Sequence, residues 1–127
     1  MLTWLRSLFR RPDPSAEFRA NRAELLVVWF RTAVAAGKPK GLIWVACEPL
    51  GEPLFGPGWA VLPVLVHFEP TPDGGLADVP QAKEPRPVVA VFTRTRRRWT
   101  TAGRAVFNLT AEQVAKAMNE PRPPGGG

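Results

Sequence analysis

The chain has 127 residues, 45% hydrophobic and 22% charged, with a formal net charge of +6. That length suits one domain with one core, and the apolar fraction excludes wholesale disorder. The positive charge rests on thirteen Arg and four Lys, which attracts nucleic acid, anionic lipid or an acidic protein without choosing among them.

Residues 1–11, MLTWLRSLFRR, form the first predicted element. At about 100° per residue, Met1, Leu2, Trp4, Leu5, Leu8 and Phe9 fall within roughly 160° of arc, with Arg6, Arg10 and Arg11 outside it. The pattern predicts a basic amphipathic helix over 1–12, ended by Pro12 and Pro14. Its apolar side is expected on the protein's own core. Leu2, Trp4, Leu5, Leu8 and Phe9 are also the candidates for docking on a partner or an anionic membrane surface.

A single α+β domain is expected over 15–119. Ser15 as N-cap, Phe18, Leu25, Trp29 and Ala33 at helical spacing, and Gly37 as C-cap predict the main helix. GLIWVACEP (41–49) and GWAVLPVLVHFEP (58–70) read as two strands. The turn-forming stretch 50–58 between them makes a hairpin with a long loop. Pro63 inside the second run predicts an edge position or a bulge. Residues 71–87 read as a polar Pro/Gly-rich crossing loop.

Residues 88–109 are too long for one strand. The expected reversal lies at Thr95 to Arg98, where three adjacent arginines solvate easily, with Gly103 marking a bulge in the returning strand. Thr110 and Gln113 form a capping box for a closing helix. Residues 120–127 read as a disordered tail. The fold class is therefore α+β, order α-α-β-β-β-β-α: two N-terminal helices, a four-stranded antiparallel sheet of two hairpins and a short C-terminal helix. Helices on one face of the sheet are the economical packing.

Cys47 is the only cysteine, His67 the only histidine, and tyrosine is absent. No intrachain disulfide can form, and a reducing, cytoplasmic setting is expected, peripheral to a membrane if residues 1–11 dock there. No apolar run is long enough for a transmembrane helix, and the first residues lack a secretory signal's pattern. The expected hairpin puts Cys47 and His67 about 20 Å apart, too far for a nucleophilic pair. Two zinc-ligand side chains fall short of a four-ligand structural site. Glu48 and Glu52 flank one loop and Glu69, Asp73 and Asp78 the other, so the carboxylates are not expected to converge. No phosphate-loop or hydrolase motif occurs.

No catalytic residue, metal, cofactor or small-molecule site is therefore predicted. The expected function is a non-catalytic module that binds a protein partner or itself, with Leu54, Phe55 and Trp59 as candidate contacts. The first alternative is nucleic-acid binding through the basic hairpin 93–104. There Arg94, Arg96, Arg97, Arg98 and Arg104 would meet phosphates, Lys83 and Arg86 would lie nearby, and Trp99 would stack a base. The second alternative is peripheral membrane association through residues 1–11.

Overall fold

The computed structural model describes residues 13–36, 42–71 and 84–120. The expected helix over 1–11, the Gly37 cap, most of the crossing loop and the tail after Glu120 lie outside the described residues.

Two helices open the described chain, α1 (Pro14–Ala20) and α2 (Arg22–Ala35). The single expected helix is thus two. Asn21 stands between them at φ −107°, ψ 11°, outside the helical well. Its side-chain amide donates to the Glu17 carbonyl at 3.0 Å, the local competition with helix that Asn brings. The N-cap is Asp13 rather than Ser15, because the Asp13 carboxylate accepts the Ser15 N–H and Pro14 fills the first turn.

The strands are β1 (Leu42–Pro49), β2 (Leu54–Gly56), β3 (Trp59–Pro70), β4 (Arg86–Thr95), β5 (Arg98–Thr100) and β6 (Ala105–Phe107). They form one antiparallel sheet four rows wide. β1 and β2 share the row beside β3, and β5 and β6 share the row beside β4. Helix α3 (Ala111–Asn119) closes the chain, with both halves of the Thr110–Gln113 capping box present. At the level of sheet rows the order is α-α-β-β-β-β-α, with both described N-terminal helices falling within the second of the two expected from the sequence.

Pro63 explains why the first row is broken. It sits in the central strand β3 rather than on an edge, opposite Val89 of β4. In an antiparallel strand a residue's N and C=O point to the same neighbour. The Pro63 carbonyl accepts from Leu50 N at 2.8 Å, so the missing N–H also faces the β1 row, at the gap where residues 50–53 leave the ladder. The proline is tolerated because its partner row is interrupted there.

Helices cover both faces of the sheet, not one. On one face Phe18, Leu26, Trp29 and Ala33 pack on Trp44, Leu62, Val64, Val66, Phe68, Val88, Ala90 and Phe92. On the other, Ala111 and Val114 of α3 pack on Trp59, Val61, Val89 and Val91. The two sets are alternate positions of β3 and β4, so each strand is apolar on both sides wherever both layers reach it. Edge-to-face aromatic contacts knit the first layer. Trp44 meets Trp29, Phe30, Phe68 and Phe107, while Phe18 meets Phe55, Phe92 and Trp99. Each such pair contributes about 0.5–1.5 kcal/mol beyond its buried area. Among the described residues no helix is long and apolar enough to cross a membrane.

Candidate functional site

Two chain reversals lie side by side at one end of the sheet. Pro57–Gly58 joins β2 to β3, with Gly58 at φ +73° supplying the left-handed position that follows proline in a type II turn. Arg96–Arg97 joins β4 to β5, placing the second reversal where the sequence predicts it. The amide of Arg94 donates to the Gly58 carbonyl at 2.9 Å and holds the two turns together.

The Arg96–Arg97 turn is built from unsuitable residues. Both have positive φ, 52° and 65°, as a two-residue type I′ hairpin requires. Asn–Gly occupies that turn at little cost. An L-residue with a Cβ there costs roughly 1–2 kcal/mol per position.

The start of α1 closes over this end. Arg94 shares the helix-covered face with Phe92 and reaches Glu17, its Nη2 donating to Oε2 at 3.2 Å, with side chains 19% and 28% exposed. The buried Arg94 Nε has no partner. Trp99, opposite Arg94 across the hairpin, donates its indole N–H to the Pro14 carbonyl at 2.9 Å. Between these groups lies a cleft of about 300 Å³, lined among others by Ser15, Phe55, Pro57, Arg94, Arg97 and Trp99.

The candidate phosphate contacts are therefore divided. Arg94 and Trp99 face the helices and hold α1. Arg98 pairs with Thr95 on the opposite side of the hairpin, Arg96 and Arg97 form the tip, and Arg104 lies farther along the row near Val91. Of the six, Arg94, Arg97 and Trp99 come together at the cleft. The candidate partner contacts serve the interior: Trp59 is 8% exposed beneath α3, Leu54 packs on the same cluster, and Phe55 packs on Phe18. Leu54 and Phe55 are on β2, not in a loop, because residues 54–56 pair with the first residues of β3. The candidates Leu2, Trp4, Leu5, Leu8 and Phe9 lie outside the described residues.

Cys47 and His67 are closer than the expected hairpin allows. Cys47 lies opposite Val66 and His67 opposite Ala46, since β1 pairs with the far half of β3 rather than beginning at a simple loop. They nevertheless point to opposite faces. Cys47 packs on the helix-side core, where burial raises its pKa. His67 Nε2 stands 3.4 Å from Glu48 Oε1 on the other face. Among the described residues no three His, Cys, Asp or Glu side chains converge.

Sequence reading misses Pro14, Ser15 and Glu17 as members of this site. Glu17 is 77 positions from Arg94, and no periodicity or motif couples residues so distant. The architecture is a small α+β domain with one antiparallel sheet between two unequal helical layers. No protein-family model, no curated protein and no solved structure matches the chain.

Proposed function

We propose that the chain is a non-catalytic binding module that meets a protein surface, a second copy included, through the part of its sheet that α3 leaves open. The observation carrying this reading is the exposure of Ile43 and Val45 on β1, at 48% and 50%. The helix α3 packs on the Trp59, Val61, Val89 and Val91 end of that face. Toward the other end, Ile43 pairs with Glu69 and Leu65 with Pro87. Pro87 also borders a concavity lined by Phe107, Leu109 and Gln113. Grouped exposed apolar side chains rimmed by polar ones are characteristic of interaction surfaces. Glu48, His67 and Glu69 stand beside them on the same face.

A photo-crosslinking amino acid at position 45 is expected to give a discrete adduct, with another protein or with a second copy. The same probe at the exposed position 112 of α3 is expected to give none. Absence of an adduct at 45, or identical adducts at both positions, would remove the reading. Light scattering on wild type and on the Ile43→Asp, Val45→Asp double variant identifies a second copy as the occupant if only the wild type is larger than a monomer.

The nucleic-acid reading draws less support, because its arginines form no single face: Arg98 and Arg94 point to opposite sides of the hairpin, and Arg104 lies farther along the row. The membrane reading rests on residues 1–11 and is tested by liposome sedimentation with and without them.

A further inference from the structure

The cleft at the turn end of the sheet sets cations beside apolar walls. Among the described residues its lining carries two guanidinium groups and no carboxylate. The carboxylates close by already have partners. Glu17 accepts from Arg94, and Asp13 accepts the Ser15 amide as the cap of α1. Among the described residues the Arg94 guanidinium makes one hydrogen bond, to Glu17, while its Nε–H is buried without a partner and does not itself face the open cleft. Arg96 shares the hairpin tip with Arg97, and Arg98 lies on the opposite side of the hairpin, so Arg94 and Arg97 are the arginines that line the cleft.

Two further features point to a specific ligand shape. Phe55, Pro57 and Trp99 give the cleft apolar walls beside its cations. The Trp99 ring is held in place edge-on to Phe18, beside Phe55, with its indole N–H on the carbonyl of Pro14, another lining residue. Arg97 lines the cleft from a left-handed backbone position that would suit Gly better. Strained backbone of this kind persists at ligand clamps, where the side chain's position is what matters. The volume of about 300 Å³ lies at the small end of ligand pockets. Arginine, with its planar fork of donors, is the side chain best matched to phosphate oxygens.

We propose that this cleft binds a small phosphate monoester, with Arg94 and Arg97 holding the phosphate and Phe55 and Trp99 packing on its apolar or aromatic substituent. This is independent of the apolar sheet surface proposed above, and either can fail without the other.

The probe is phenyl phosphate, titrated into the full chain and followed by proton–nitrogen NMR. Saturable shifts are expected at the Trp99 indole N–H and the Gly58 and Arg97 amides, with inorganic phosphate and phenol each binding more weakly. Arg97→Ser is expected to weaken binding at least about tenfold, the loss of a charge-assisted contact, while Arg104→Ser leaves it within about twofold. The Arg96→Asn, Arg97→Gly variant keeps the hairpin and is expected to lose binding as Arg97→Ser does. No saturable shift up to ~20 mM phenyl phosphate, a range that reaches past millimolar affinity, would overturn the proposal. Equal weakening by Arg97→Ser and Arg104→Ser would also overturn it, by showing that only bulk charge matters. A single-stranded oligonucleotide that binds more tightly than phenyl phosphate, steeply weakened by salt, would replace the monoester site with a nucleic-acid face.

Discussion

The indole N–H of Trp29 donates to the main-chain carbonyl of Arg104 at 2.8 Å, joining residues 75 positions apart. Trp29 is wholly buried in α2, and Arg104 lies in the irregular stretch that separates β5 from β6. The same carbonyl accepts from Val91 N at 3.1 Å, so helix, edge row and β4 meet at one oxygen.

Trp29→Phe keeps most of the ring's packing and removes this bond. Because Val91 still satisfies the carbonyl, the loss is expected to be modest, about 1–2 kcal/mol including the smaller ring. In a domain of this size that corresponds to a melting temperature lower by roughly 3–10 °C. Circular dichroism on heating checks it.

Gly103 sits beside that carbonyl at φ +77°, and a Cβ there would lie 2.7 Å from the backbone of Thr32 and Ala33. Gly103→Ala meets two costs, the left-handed backbone and the collision with α2. Together they are expected to destabilise by roughly 2–4 kcal/mol. The urea midpoint should fall with an unchanged slope, since the surface exposed on unfolding is nearly the same. A neutral result would mean that α2 does not rest on this residue.

The turn variant Arg96→Asn, Arg97→Gly is expected to raise stability by about 1–2 kcal/mol, because both positions are left-handed. Equilibrium denaturation measures it. Unchanged or reduced stability would show that the hairpin does not close through a two-residue type I′ turn.

Cys47 is half-buried, and burial raises its pKa. The thiol should therefore react with disulfide reagents slowly in the folded protein and quickly after denaturation. A pKa raised by folding means that the folded state holds the proton more tightly. Its contribution is fully present below the unfolded thiol pKa and is lost as pH rises through the folded value. Stability should accordingly decline across the alkaline thiol range, and Cys47→Ala should flatten that decline. Identical slopes for wild type and variant would refute it.

The part of the fold legible from neighbouring residues is local. The Thr110–Gln113 capping box, the reversal at Arg96–Arg97 and the strand runs are written in neighbouring residues, because caps, turns and alternation act over a few positions. They imply two hairpins, while the pairing of β3 with β4 that joins the hairpins into one sheet came only from the tertiary structure. Tertiary structure alone decided what neighbours cannot encode. The register that sets Cys47 beside Val66 depends on where residues 50–53 leave the ladder at Pro63. The placement of helices on both faces depends on β3 and β4 being apolar on both sides, which an alternation count does not assign to one helix or another. The cleft depends on α1 reaching across to Arg94 and Trp99. Those contacts join residues 77 and 85 positions apart, and a contact at that separation forms only once the whole sheet has brought its ends together.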